Sequence, residues 1–408
     1  MTATNLKITE TEPVTLVKDF GTFVKYIKER NPSLARKGQL LTKKTLYEID
    51  QLLSNPDLEN TPETPKIFYP HLNLFYHLIL KGGLFVKTSK LQLHKTGRLT
   101  DYEQLNPVEK YFFLLETFWV DADWRELLDE RSSVFFIPDT QFIVHCLARI
   151  PAGRTISVER LKIGWMTYLK LHYLLQYLAL FGLVQVAFKS EGVTYFKKRK
   201  IYHMNSVTVT KLGSTLFPVL YHERNLEKWN IQYIQGRREE LTISPELEEG
   251  QNETKPFFRP FQKIFKDLQR TLPRKESTKS TFTFKASIRK NCWRAIVTSS
   301  EHTLEDLHNA IQDAFEFNSD HVYSFFTDGI PWSYNRIMSP YSGEGPFSNH
   351  VSIGELGLLP GQQILYIFGI GSEWRFKLEV LEKKDEPGPP SPIIRERKGK
   401  SPEQYPFW

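Results

Sequence analysis

The chain has 408 residues, a formal net charge of +7 and a mean hydropathy of −0.40. This length allows more than one hydrophobic core. No apolar run reaches the roughly 18 residues that span a bilayer, so we expect a soluble, cytoplasmic protein without membrane contact. With only two cysteines, Cys146 and Cys292, a disulfide scaffold and a structural zinc site are excluded. The basic excess permits an anionic partner without requiring one.

The first predicted unit covers residues 14–130 and is mainly helical. Apolar residues recur at helical spacing over residues 16–27, 41–53 and 72–80. A short β-hairpin follows over residues 84–99, after two glycines that end the third helix. Helices followed by a hairpin and a closing helix are the order of a winged helix.

The same order returns in the second predicted unit, residues 131–235. Helical patterns cover residues 139–150, 157–163 and 167–181. A short strand follows at residues 183–186, and a longer hairpin covers residues 189–200. Both copies share a leucine, a glycine stop, a hairpin and a Lys-x-Gly step that is followed two or three residues later by a leucine. The sequence therefore predicts a divergent internal repeat of two winged-helix-like units.

The hairpin of the second unit carries a basic run that could follow the phosphates of duplex DNA. The run consists of Lys197, Lys198, Arg199 and Lys200. In the helix before it, the side chains that could reach base edges are Lys170, His172 and Gln176. The rest of that helix is apolar or aromatic, so it could instead be buried in its own core or against a partner, including a second copy. A solvated hairpin without a ligand is the plainer interpretation.

Residues 236–280 are predicted to be a linker, acidic in its first part. Its second part places Phe257, Phe261, Phe265 and Leu268 on one side of a predicted amphipathic helix that needs a surface to cover.

The C-terminal unit, residues 281–385, is predicted to be an α+β sheet with one packed helix. A capping box starts that helix at Thr303 and Asp306. Five strands are predicted from alternation or from short apolar runs, at residues 282–288, 293–297, 321–326, 364–368 and 374–380. Residues 386–408, rich in proline and in basic residues, are predicted to be an extended arm. The fold class is thus multidomain, mainly α with winged-helix-like hairpins and then α+β.

Several motifs of the last third occur together in a fixed order. They are Trp293-Arg294, the helix start at Thr303, Asp320-His321, the strand at 365–368, Glu373-Trp374-Arg375-Phe376 and the tail 399–406. In this combination the chain resembles the family named after the third open reading frame of a root-inducing plasmid, also described as a resolvase-like transposon passenger. The resemblance implies a fold and a mobile-element setting, but no reaction. Gly369 and Ser372 stand where the family usually has acids.

Five residues of this unit could carry chemistry. His308 and His321, with Glu373, could hold a metal or move a proton, or could be a core histidine and a turn cap. Arg294 and Arg375 each follow a tryptophan on a strand and could bind an anion if both tryptophans are buried. We expect no resident metal and no cofactor, since no Walker loop, dinucleotide turn or nucleophile elbow occurs.

Three functions remain open from the sequence. The first is a non-enzymatic DNA-associated or regulatory protein of a mobile element, with an unknown protein partner for the C-terminal domain. The second is an interaction scaffold that dimerises through the winged units without nucleic acid. The third is a small metal-dependent hydrolase or nuclease in the C-terminal domain.

Overall fold

A computed structural model gives the fold as a mixture of helices and sheets around two hydrophobic cores. The structure describes residues 6–35, 40–88, 91–127, 136–161, 168–196, 199–234, 256–272, 279–327, 329–332, 336–342, 347–349, 351–369, 371 and 373–405. One core draws on residues from Ile8 to Leu272 and the other on residues from Phe282 to Val380. Within the described ranges, no helix is both long and apolar enough to cross a membrane.

The first part of the N-terminal core is helical, with one short hairpin. Its elements are α1 (Leu16–Arg30), α2 (Lys43–Asp50), α3 (Pro70–Lys81), β1 (Phe85–Lys87), β2 (Leu93–Lys95), α4 (Gly97–Glu103), α5 (Pro107–Glu116) and α6 (Trp124–Leu127). Local capping explains two of the starts. Thr42 accepts a hydrogen bond from the Thr45 backbone, and Asn106 forms a capping box with Glu109 in front of Pro107.

The second part contains a three-stranded antiparallel sheet in the order β3–β5–β4. Its elements are α7 (Phe136–Ala148), β3 (Thr155–Ser157), α8 (Tyr168–Leu180), β4 (Val184–Phe196), β5 (Arg199–Val209), α9 (Lys211–His222) and α10 (Leu226–Trp229). The predicted helix at 157–163 is instead the end of β3 and a 3-10 turn, Val158–Leu161, within the described residues. The predicted long hairpin is present as β4 and β5.

Helix α8 joins the two parts into one core, because it packs against α3. The Tyr177 hydroxyl donates a hydrogen bond to the Leu127 carbonyl at 2.8 Å and accepts one from the Asn73 side-chain amide at 2.9 Å. The Tyr173 hydroxyl donates to the Ile67 carbonyl at 3.2 Å. A buried hydroxyl needs such partners, so these bonds fix how α8 sits on the first unit.

Residues 256–272, here called the strap, pack onto the N-terminal core. The predicted amphipathic α-helix was wrong: the strap has turns and one 3-10 helix, Arg259–Lys263. Pro260 has no backbone N–H to donate, which disfavours a continuous helix here. The aromatic rings still find a surface, since Phe261 and Phe265 lie 4.9 and 5.3 Å from the ring of Phe112 on α5. The acidic first part of the predicted linker lies outside the described residues.

The C-terminal core is built on a seven-stranded antiparallel sheet in the order β12–β7–β6–β11–β10–β8–β9. Its elements are β6 (Thr281–Arg289), β7 (Cys292–Ser299), α11 (Leu304–Phe315), β8 (Tyr323–Phe326), β9 (Arg336–Met338), β10 (Gln363–Phe368), β11 (Trp374–Lys384) and β12 (Ile393–Lys398). The five predicted strands and the capped helix are confirmed. Thr303 and Asp306 form the predicted capping box, and the apolar side of α11 covers one face of the sheet.

The predicted C-terminal arm is wrong in one respect, because part of it belongs to the sheet. β12 pairs antiparallel with β7, from Ile393 opposite Val297 to Lys398 opposite Trp293. Without it, the outer backbone groups of β7 would have no partner. Beyond β12, the Gln404 amide donates to the Asn318 carbonyl at 2.9 Å, so the tail also bonds the end of α11. The boundary at residue 385 therefore divides one core.

Candidate functional sites

The hairpin of β4 and β5 extends well past the third strand of its sheet. β3 pairs only with residues 206–208 of β5, whereas the β4–β5 register runs out to Phe196 opposite Arg199. Among the described residues, the outer section is thus a two-stranded ribbon, here defined as residues 189–203. The register shifts between Phe188 and Val193, and the paired outer end covers four positions, from Val193 to Phe196, or about 13 Å at ~3.3 Å each. The major groove of B-DNA is wide enough to admit a two-stranded β-ribbon.

The ribbon has a strongly basic sequence. Residues 189–203 contain five lysines and arginines and a single acid, Glu191. The register places Lys200 opposite Tyr195 at the outer end of the strands. Lys197 and Lys198, and the side chains of Lys170, Arg199 and Lys200, lie outside the described structure. The cations are therefore located by sequence and strand register.

Of the predicted base-reading residues of α8, His172 is buried and bonds to Gln176, which is half-buried. His172 is 9% exposed, and its Nε2 lies 2.7 Å from the Gln176 amide nitrogen. Burial, and secondarily the nearby His203, lowers the pKa of His172 to about 4, so the imidazole is neutral near pH 7. The apolar side chains of α8 are also internal: Leu171, Tyr173, Leu174, Leu175, Tyr177 and Leu178. Among its described side chains, from Leu171 onward, the helix offers neither a row of base contacts nor an exposed apolar row for a partner.

Arg294 lies inside the C-terminal core and Trp293 is only partly buried, so the condition for an outward-facing anion site at Arg294 is not met. Arg294 is 3% exposed, and its guanidinium lies 4.5 Å from the ring of Phe315. Its nitrogens donate at 2.8–2.9 Å to the carbonyls of Ala314, Trp293 and Lys398 and to the Ser401 hydroxyl. The physical reason is the C-terminal end of α11, where free carbonyls and the helix dipole favour a cation. These hydrogen bonds connect Arg294 to other parts of the chain, so little hydrogen-bonding capacity remains for a bound anion.

His308 is a core residue. Its Nδ1 lies 2.6 Å from the Tyr366 hydroxyl, which also accepts a hydrogen bond from Gln312 at 2.8 Å. The ring stacks on Tyr323 with a centroid distance of 3.7 Å. Burial lowers the pKa of His308 to about 3, so the side chain stays neutral at physiological pH.

His321 lies at the surface, in a different set of contacts. The Tyr405 hydroxyl is 3.3 Å from His321 Nε2 and donates to Asp320 at 2.5 Å. Both histidine rings contact Phe368, but they share no polar partner in the described structure. No group of three or more potential metal ligands occurs among the residues that the structure describes.

Arg375 is exposed and bonds to its neighbour Glu373, at 3.0 Å from Nε. The guanidinium of Arg375 is thus already paired with a carboxylate, as expected for a local ion pair. The turn before it contains Gly369, which has a φ of +71°. Ser372, the other residue that replaces a family acid, lies outside the described structure.

The face of the C-terminal sheet opposite α11 carries side chains that the sequence analysis did not select. They include Lys285, whose ammonium lies 4.9 Å from the ring centroid of Trp293, and Lys377, which is exposed. Alternation predicts which side chains share a face within one strand. The order of the strands decides which side chains of different strands lie next to each other. This order cannot be predicted from the local sequence pattern.

The fold and these sites define a mixed α/β protein whose last third has a core of its own. Residues 283–404 match the family model described as Plasmid pRiA4b ORF-3-like protein, which confirms the predicted resemblance for that region. A solved structure, of a protein of unknown function from Methanosarcina mazei Go1, is similar at 20% identity, over 31% of this chain and 74% of that chain, with a TM-score of 0.26. A search of curated proteins gives no match.

Proposed function

We propose that this is a non-enzymatic protein that binds duplex DNA through the ribbon, with little preference for base sequence. The observation that carries the proposal is a basic two-stranded ribbon that extends beyond its sheet. Clustered cations on such a ribbon can neutralise phosphates along a groove. The family match of residues 283–404 supports a mobile-element setting.

In this proposal, residues 136–222 are a winged-helix unit. Helix α7, strand β3, a 3-10 turn, helix α8 and the β4–β5 hairpin follow in the order of that fold. The pairing of β3 with β5, at the base of the hairpin, supports it further. The ribbon is then the wing of this unit.

The burial of α8 supports binding that depends on charge more than on sequence. Direct readout needs several polar side chains facing the groove. His172 and Gln176 bond to each other instead, so we expect the ribbon to supply most of the affinity. Each neutralised phosphate contributes a slope of about −0.9 to log K against log[salt].

The test compares two variants that lose the same number of charges. In the ribbon variant, Lys197, Lys198, Arg199 and Lys200 are changed to Ala. In the control variant, four exposed lysines of α1 and α2 are changed to Ala: Lys18, Lys25, Lys43 and Lys44.

Binding to a mixed duplex pool is measured by anisotropy across a salt series. We expect the ribbon variant to bind more weakly and to lose roughly 3 to 4 from the salt slope, since about 0.9 is lost per phosphate contact. The control should keep most of the slope. Equal losses in both variants would mean that net charge alone drives binding. An unmodified chain that ignores DNA at low salt would overturn the proposal.

The other two hypotheses receive less support from the described residues. A scaffold that dimerises through α8 needs an exposed apolar row, whereas Leu174 and Leu178 are fully buried. A metal-dependent hydrolase needs His308 and His321 in one site, whereas each has its own partners.

A further inference from the structure

The face of the C-terminal sheet opposite α11 is exposed in part: Lys377 is exposed there, whereas Phe326 is fully buried. Side chains that face α11 form the C-terminal core, as shown by Phe376, which lies 5.1 Å from Phe315 of the helix. Residues one position away point to the opposite face. Strand register aligns a row across that face, one residue from each of five strands: Trp293, Ser287, Lys377, Leu365 and Phe326. We call this the open-face row.

Aromatic rings mark both ends of the open-face row. Trp293 is partly exposed at one end, with Lys285 beside its ring. At the other end, Trp332 is 44% exposed and packs edge-to-face on Phe326 with a centroid distance of 5.9 Å. Four strand spacings of about 4.8 Å separate the two ends, or roughly 19 Å. A partly exposed tryptophan at one end and an exposed tryptophan at the other give two flat rings for stacking.

Cations lie between and beside these rings. Lys377 is exposed in the middle of the row, and Lys398 on β12 is exposed opposite Trp293. Lys285 has Glu379 opposite it on the next strand, so the face is mixed but contains more cations along the row. Because Lys377 and Lys398 are exposed with the whole chain in place, neither the N-terminal core nor the tail covers them.

We propose that the open-face row binds single-stranded nucleic acid. Unpaired bases would stack on Trp293 and Trp332, and phosphates would contact Lys285, Lys377 and Lys398. Aromatic side chains on a sheet bind splayed bases in this way, and stacking is tolerant of sequence because every base has a flat face. A duplex keeps its bases stacked inside and cannot use these rings. The site is separate from the ribbon, which needs only the phosphates of a duplex.

The experiment uses the full chain with the four ribbon cations changed to Ala, so that the ribbon cannot contribute. The probe is a labelled oligonucleotide of about ten residues, within the 4–16 nucleotides that one sheet module usually covers. Oligo(dT) and oligo(U) are both measured by anisotropy, and binding of either supports the proposal. Failure of duplex binding in the ribbon test would leave this measurement unaffected.

Three substitutions test the row: Trp293→Leu, Trp332→Leu and Lys377→Ala. We expect each tryptophan substitution to weaken binding roughly tenfold, a typical effect of losing one stacked base. Trp332 is a surface residue, so its variant keeps the test valid if Trp293→Leu disturbs folding. The matched controls are Tyr341→Leu, an aromatic residue that is 87% exposed elsewhere, and Lys279→Ala, whose side chain is 60% exposed beside Glu301. Both controls should bind within twofold of the parent.

Competition separates stacking from charge. Unlabelled oligonucleotide should displace the probe, whereas inorganic polyphosphate at equal phosphate should displace it poorly. Equal displacement by polyphosphate or by an acidic peptide would overturn the proposal, because the face would then recognise charge alone. Tryptophan variants that bind as well as the parent would overturn it as well.

Discussion

Replacing Arg294 with Met should release the last strand from the C-terminal sheet. The guanidinium joins three segments, since it bonds to Ala314 at the end of α11, to Trp293 on β7 and to Lys398 and Ser401 in the tail. Methionine keeps apolar contact with the ring beneath it but donates no hydrogen bond. The carbonyls that it leaves behind then determine the loss.

The size of the effect follows from the burial of those carbonyls. The bond to Ala314 is fully buried, and a buried carbonyl without a donor costs about 1–3 kcal/mol. The bonds to Trp293 and Lys398 are partly buried, so water can replace them at about 0.5–1.5 kcal/mol each. Only the bonds to Lys398 and Ser401 are broken when β12 opens, so we expect about 2 kcal/mol, or roughly thirtyfold, in the opening equilibrium of β12.

Hydrogen exchange of peptides from residues 391–405, read by mass spectrometry, measures that opening locally. A local readout is needed because a chain with two cores need not unfold in one step. Arg397→Met is the matched control: this arginine is exposed on the same strand and lies 3.5 Å from Glu316, an exposed pair worth about 0–1 kcal/mol. The reasoning fails if exchange in β12 changes equally in both variants, or if it stays unchanged in Arg294→Met.

Three further predictions follow from buried contacts. Changing Arg224 to Met removes its bonds to the carbonyls of Pro256 and Phe257, so trypsin should cut the basic strap about tenfold faster, and an unchanged rate would contradict this. His308→Leu should make the loss of stability on acidification less steep. The native pKa of His308 is about 3, so between pH 6.5 and pH 3 the unfolded chain binds a proton at this residue that the native chain does not bind. This proton favours unfolding in the parent and is absent from the variant. Urea titrations at several pH values measure the slope, which should stay steep in the parent. Thr303→Ala should lower stability by about 1 kcal/mol in thermal unfolding, and Thr303→Ser should restore it.

Local pattern predicted the strands and the helix of the C-terminal core, because alternation and capping are set by neighbours in sequence. It failed at β12, where Ile393 and three basic residues look like a solvated arm. The partner of that strand lies about a hundred residues earlier, and only pairing with β7 makes it a strand. It failed at the strap for a related reason, since its rings pack on Phe112 of α5 without forming an α-helix.

The candidate sites were also predicted only in part from local pattern. The long hairpin was predicted from its sequence, and the apolar composition of α8 correctly indicated that this helix could be buried. The sequence left open which of Trp293 and Arg294 faces the core. Alternation says that neighbours point to opposite faces, but not which face the helix covers. Arg294 turns inward because the end of α11 offers it carbonyls, and Trp293 turns outward towards Lys285.

The position of β12 also determines when the C-terminal core can be finished during synthesis. β6 and β7 leave the ribosome first and can pair at once as a hairpin, because few residues separate them. The outer side of β7 then stays open until Lys398 and Ser401 have emerged, about a hundred residues later. During that interval Arg294 lacks two of its acceptors and β7 is an exposed edge. Chaperones that shield strand edges should therefore bind nascent chains that stop before residue 393 more than chains that extend past residue 405.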